Sequence, residues 1–164
     1  GTDGNYNPRP AAVADPSGWL HMVWRAKGEI VHQRLFLPDP IDGWSLPPSR
    51  LGGGAFSAIA VAADGTLHAA ENRAMYGPEQ EAAKCLACGD IYYNRSEDGG
   101  TSWSKGLNQS ETLNGSDKPQ FAVQASEVVL VWEEGHDFYV GRGTPEGVML
   151  VVSHDGGRSW DPPI

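Results

Sequence analysis

Short apolar runs alternate with polar, glycine-rich breaks along the whole chain. Three stretches follow one plan. The first is "RPAAVADPSGWLHMVWRAKGEIVHQRL" (Arg9 to Leu35). The second is "FSAIAVAADGTLHAAENR" (Phe56 to Arg73), resuming at "GDIYYNRS" (Gly89 to Ser96). The third is "KPQFAVQASEVVLVWEEG" (Lys118 to Gly135), resuming at "GVMLVVS" (Gly147 to Ser153). Each reads as run, tight turn, run, loop, run. The runs are rich in Val, Ile, Tyr and Trp and are bounded by Gly and Pro, which predicts strands. "DPSG" and "ADG" supply the residues that hairpin turns require. The one helix-like segment, Gly77 to Gly89, predicts a turn or two inside a loop.

Each third run enters a related motif. "SEDGGTSW" (Ser96 to Trp103) returns as "SHDGGRSW" (Ser153 to Trp160), with the Asp and Trp of the two copies each 57 residues apart. A degenerate copy, "IDGWS" (Ile41 to Ser45), lies upstream. A repeat of this length with four strands per unit is the plan of a β-propeller blade. The expected fold is all-β, with blades at about 6–50, 54–112 and 116–164, the last short of most of its fourth strand. The octet itself reads as a stabilised turn. Adjacent Gly residues permit backbone angles that others resist, Asp and Ser accept bonds from nearby N–H groups, and the Trp opens strand four and buries apolar surface. A carboxylate so engaged stays ionised and is a poor proton shuttle.

The octets resemble the Asp-box, or bacterial neuraminidase repeat, of pattern Ser-x-Asp-x-Gly-x-Thr-Trp. Ser96, Asp98, Gly100 and Trp103 match in the first copy, and Ser153, Asp155, Gly157 and Trp160 in the second. Ser102 and Ser159 stand where the pattern has Thr. The resemblance implies a sialidase-like β-propeller with its boxes on the rim, on the face away from the binding site. It also implies an extracellular, periplasmic or cell-surface protein. The family includes sialidases, other glycosidases, sorting receptors and proteins without known activity, so the motif speaks to fold more than to function.

Sialidases of this kind carry an Arg clamp for the substrate carboxylate, a Tyr–Glu nucleophile pair and an Asp acid/base. The start of the clamp motif has its nearest counterpart in "YNPRPA", where Arg9 precedes Pro10 directly. The full set cannot be assembled, so no catalytic residue is assigned. In a propeller the loops between strands two and three flank the ligand, and here two are expanded. Candidate ligand-face groups are Arg9 and Arg25 in the first unit, Glu71, Arg73 and Tyr76 in the second, and Glu133, Glu134, His136, Asp137, Tyr139 and Arg142 in the third. Glu133 and Glu134, adjacent on a strand, point to opposite faces. "EEGHDFY" offers groups a metal accepts, but nothing fixes a ligand geometry. No metal and no cofactor are expected. Cys85 and Cys88, in "CLAC", read as a local disulfide, with free thiols, a zinc half-site or a redox pair as alternatives.

A net charge of -9 opposes binding to a phosphate backbone. No apolar run approaches the length of a membrane span. Three Asn-x-Ser triplets occur, at Asn94, Asn108 and Asn114. The function expected is that of a non-catalytic recognition or scaffold module, binding a glycan or protein partner through the loops at 72–89 and 133–147. The alternatives are a sialidase-type glycosidase with residues outside this chain, and a structural subunit of a surface assembly. Three blades do not close a ring, so further blades of a longer chain, or a second copy, are expected to complete it.

Overall fold

The computed structural model describes residues 9–39, 47–74, 78, 88–112, 114–135 and 147–164. These residues form three antiparallel sheets. The first is ordered β1 (Ala11–Ala14), β2 (Trp19–Ala26), β3 (Glu29–Phe36), β4 (Ser49–Gly53). The second is β5 (Ser57–Val61), β6 (Leu67–Ala74), β7 (Gly89–Ser96), β8 (Leu107–Asn108). The third has β9 (Ser116–Gln124), β10 (Glu127–Glu134) and β11 (Gly147–Ser153). Beside β11 the tail begins a fourth strand. Asp161 N donates to the Val152 carbonyl at 2.8 Å, and Ile164 and Leu150 exchange bonds at 2.9 and 3.0 Å.

In the first two sheets, the turns between the first two strands follow the chemistry read from sequence. Asp15 Oδ1 accepts from the Ser17 and Trp19 amides at 2.8 and 2.9 Å, and Gly18 takes φ 91°. Asp64 Oδ1 accepts from the Thr66 amide at 2.9 Å. The third turn departs from this pattern: Ala125, with φ 53°, occupies a left-handed position that a Gly would hold more cheaply.

In-and-out alternation then sets the packing. Ala70, Ile91, Tyr93, Leu130, Trp132 and Val151 form a core cluster between the second and third sheets, with Phe121, Met149 and Trp160 against it. The first strand of the second sheet, β5, packs against β1 on one side and β9 on the other. The sheets therefore stand around an axis lined by β1, β5 and β9, as blades do. Because the strands are antiparallel, the β1–β2, β5–β6 and β9–β10 turns lie at one end, which the octets share. The connections after β2, β6 and β10 lie at the other.

The strands run further than expected. β6 continues to Ala74 and pairs Arg73 with Asp90, and β10 reaches Glu134, opposite Ser116 and Gly147. Glu71, Arg73, Glu133 and Glu134 are thus strand residues and not loop residues. Trp103 precedes the two-residue β8 rather than opening it. The degenerate motif at 41–45 and most of the helix-like segment lie outside the described residues.

Candidate functional site

At the octet end, each carboxylate closes its own turn. Ser96 Oγ donates to Asp98 Oδ1 at 2.8 Å and accepts from the Gly100 amide at 2.9 Å. The Ser102 amide and hydroxyl donate to the two Asp98 oxygens at 2.9 and 2.5 Å. The second copy repeats this with Ser153, Asp155, Gly157 and Ser159 at 2.6 to 2.9 Å. The Ser102 hydroxyl, then its amide, bring Asp98 down to about 2, and Ser159 lowers Asp155 in the same way. Such groups hold a turn and move no proton near neutrality.

The preceding sheet clasps each octet. His21 stands 3.1 Å from His32 and 3.2 Å from the Asp15 carboxylate. Arg34 Nη1 donates to the Gly99 carbonyl at 3.0 Å, Ser49 Oγ to the Gly100 carbonyl at 2.8 Å, and the His32 ring meets Trp103 edge-on at 5.1 Å. One blade along, His68 pairs with the Tyr93 hydroxyl at 2.8 Å, Arg95 Nε donates to the Gly156 carbonyl at 2.7 Å, and Tyr93 meets Trp160 edge-on at 4.8 Å. The register equates the two sets, since His21 faces Arg34 as His68 faces Arg95. Burial, with smaller charge effects, brings His32 and His68 down to about 4, so both are neutral near pH 7. These residues went unnoticed in the sequence. Their signal was the "LH" after the first turn of the first two units and the "HQR" and "YNR" of their third strands.

The opposite, loop-bearing end has two layers. Inside lie buried carboxylates. Glu71 is 0% exposed and accepts from Arg73 Nε at 2.8 Å and from Asn94 Nδ2 at 2.9 Å. Burial raises its pKa, and Arg73 and Asn94 counter part of the rise. Arg73 lies 4.3 Å over the Tyr92 ring and donates to the Leu51 carbonyl of the first sheet at 3.3 Å. Glu134 accepts from Thr112 Oγ1 at 2.6 Å, Ser116 Oγ at 2.7 Å and Trp132 Nε1 at 2.9 Å. These groups join strands and sheets.

Outside, at the axial mouth, stand Arg9 and Lys118. Arg9 precedes Pro10 and leads into β1, while Lys118 precedes Pro119 in β9. Both have positive φ, 37° and 51°, which non-glycine residues rarely adopt. Arg9 lies 3.9 Å over the ring of Phe56, the residue just before β5. Lys118 Nζ lies 2.7 Å from Glu133 Oε2, and its amide donates to Asp117 Oδ1 at 2.9 Å. Arg25, half-buried, stands near the same end of β2. The structure therefore brings Arg9 and Glu133 to the mouth and sets Glu71, Arg73 and Glu134 behind it. Tyr76, His136, Asp137, Tyr139, Arg142 and Cys85 lie outside the described residues. Cys88 is disulfide-bonded, and Cys85 is the only other cysteine in the chain. Sequence reading passed over Phe56, Asp117 and Lys118, although the matching "RP" and "KP" at the heads of two units marked the place. Among the described residues no three His, Cys, Asp or Glu stand together as metal ligands would.

No family model and no curated protein matches the sequence. Solved structures do. An α-L-arabinanase from Penicillium chrysogenum, complexed with arabinobiose, matches 96% of this chain and 48% of its own at TM-score 0.60 and 14% identity. An ulvan lyase bound to a -[GlcA(1-4)Rha3S]- ligand matches 100% of this chain and 43% of its own at TM-score 0.62 and 13% identity. The NanB sialidase from Streptococcus pneumoniae matches 86% of this chain and 20% of its own at TM-score 0.51 and 17% identity. The chain thus has a sialidase-like β-propeller fold and spans about half, or less, of the length of these proteins. No helix among the described residues is long and apolar enough to cross a membrane.

Proposed function

We propose that this chain is a carbohydrate-recognising portion of a β-propeller and that it binds a glycan at the axial mouth. The supporting observation is the pair Arg9-Pro10 and Lys118-Pro119. Two units place a cation before proline, on left-handed backbone, at the same end of the innermost strands. The residue before a proline favours extended backbone, so this conformation costs energy that surrounding structure must offset, and such strain gathers at binding sites. Glu133 adds an acceptor beside the two cations, which suits a ligand rich in hydroxyls. In this reading the octets are Asp-boxes with a structural role, the site works without catalysis, and the protein acts outside the cytoplasm. A glycosidase or lyase reading is favoured by the enzymes among the structural neighbours. It needs reacting groups beyond those described.

Isothermal titration with arabinan, ulvan and sialyllactose tests the reading. Binding of any one, weakened at least tenfold by Lys118→Ala with unchanged melting, supports the mouth as the site. Binding untouched by both Arg9→Ala and Lys118→Ala refutes it. Release of product from the bound glycan moves the assignment to the enzyme reading.

A further inference from the structure

The octet end, which the mouth site does not use, carries two clefts separated by Trp103. The larger, about 780 Å³, lies between the second and third sheets and is lined by Arg95, Lys105, Arg158, Glu97, Trp103 and Leu107, among others. The smaller, about 560 Å³, lies between the first and second sheets, with Arg34, Arg50, Pro47, Pro48 and Trp103 in its wall. Three cations and two carboxylates line the first cleft, and two cations with no carboxylate line the second. The carboxylates are already engaged. Glu97 bridges Arg95 at 2.6 Å and Arg158 at 2.8 Å, and Asp98 is consumed by its own turn. Lys105 is exposed and makes no ion pair among the described residues. Leu107 leaves 49% of its surface to solvent at the cleft edge. His32, in the wall of the smaller cleft, is neutral. Arg50 pairs with Glu29 at 3.1 Å, so five cations stand against three carboxylates. In a chain of net charge -9, this strip still carries an excess of positive charge, and clefts with low-dielectric walls focus such a field.

We propose that the two clefts flanking Trp103 form one extended subsite for an anionic polysaccharide strand. Acidic groups of successive sugars meet Lys105, Arg95 and Arg158 on one side of the indole and Arg50 and Arg34 on the other. Sugar C–H faces meet Trp103, Leu107 and Pro47. Guanidinium groups suit carboxylate and sulfate alike, so the class is set by charge and not by one sugar. The subsite stands on the opposite end of the strands from Arg9 and Lys118 and does not depend on the reading of the mouth.

Affinity electrophoresis through gels containing polygalacturonate, dextran sulfate or neutral dextran tests this directly. Either polyanion is expected to retard the protein, and dextran is not. Lys105→Glu and Arg50→Glu, each on an exposed side chain of a different cleft, are each expected to weaken retardation severalfold, and together at least tenfold. Lys27→Glu makes the same change in net charge on the exposed β2–β3 turn at the mouth end and is expected to leave retardation unchanged. Absence of retardation by both polyanions overturns the proposal. So does an equal effect of Lys27→Glu, which would mean attraction by net charge alone, or unchanged retardation of the double cleft variant, which would mean that the strand binds elsewhere. A change in melting temperature monitors folding of each variant, and Arg50→Lys is expected to restore retardation where Arg50→Glu removes it.

Discussion

The two ends of the sheets hold their carboxylates in opposite ways. At the octet end, Asp98 is exposed and Asp155 half-buried, and each is bonded by serine and backbone groups within four residues of it. At the mouth end, Glu71 and Glu134 are buried and take partners as far as 23 residues away, from other strands. The difference is one of range. A local turn can be copied from unit to unit as a short motif, whereas a buried carboxylate must be matched by each blade's own neighbours. The octet end therefore repeats, and the mouth end is individual.

The largest effect is expected where the buried arrangement is broken. Glu71→Ala leaves the Arg73 guanidinium without its carboxylate and Asn94 without an acceptor, at a position where Glu71 and Asn94 are both 0% exposed. A loss of about 3–5 kcal/mol in unfolding free energy by urea titration is expected, toward the lower end because Arg73 keeps some exposure. Glu71→Gln keeps an acceptor for Asn94 and is expected to lose less. If Glu71→Ala costs no more than an exposed substitution, the contrast between the two ends collapses.

Acid sharpens the contrast from the other side. His32 and His68 titrate near 4 in the folded chain against 6.5 for the ordinary group, so protons bind the unfolded state more readily. Their contribution is complete above pH 6.5, falls as pH drops through that value, and levels off below about 4. About 3 kcal/mol per histidine corresponds to shifts of that size. His154 has the opposite sign, because its raised pKa favours the folded state below 6.5, but it is fully exposed and 0.5 M salt screens it. Urea midpoints at pH 7.5 and 4.5 in that salt are therefore expected to fall on acidification. Replacing His68 with Phe is expected to shrink the fall, and an unchanged midpoint would mean that the clasps do not depend on neutral histidines.

This division decides what a reader of the sequence can see. The octets, the first turns and the period-2 strands are local, and all of them were legible. The clasps were half legible, because "HQR" and "YNR" recur at matched places while their acceptors, Gly99 and Gly156, lie 65 and 61 residues from the arginines. The mouth was the least legible. Glu71 and Arg73 read as loop charges because nothing local says that β6 continues to Ala74, and their partners Asn94 and Leu51 come from other strands. Asn94 shows the limit of a short pattern. It belongs to an Asn-x-Ser triplet, yet it is 0% exposed and bonded to Glu71, so a glycan has no room there. Of the three triplets, only the one at Asn114 has an exposed asparagine.

Glycines separate the two parts of the octet design, its backbone angles and its close contact with the preceding blade. Gly157 has φ 82°, and a Cβ there would strike the Tyr93 hydroxyl. Gly65 has a similar φ of 86°, but a Cβ there would meet nothing within 4 Å. Gly65→Ala is expected to cost about 1 kcal/mol for backbone angle alone, and Gly157→Ala about 2 kcal/mol or more, since Tyr93 must also move. Loss of Tyr93 fluorescence environment or of the near-ultraviolet signal in Gly157→Ala only would locate the extra cost at the blade junction. Equal costs would mean that the close approach is easily relieved.

The smallest effect belongs to the exposed carboxylate itself. Asp98→Ala removes three bonds within one turn, two from Ser102 and one from Ser96, but Ser102 is exposed to water and the buried Ser96 keeps its bond from the Gly100 amide. Exposure discounts the low pKa of Asp98 as a measure of stability, and about 1 kcal/mol is expected. Its pH signature is its own. The carboxylate, at about 2 when folded and 3.8 when free, contributes fully above 3.8 and is lost only as pH falls toward 2. Asp98→Ala should therefore cost the same at pH 7.5 and pH 4.5, where the histidine clasps differ most. A cost that changed between those two values would tie the octet carboxylate to the histidines across the junction, and the local character assigned to this end would fail.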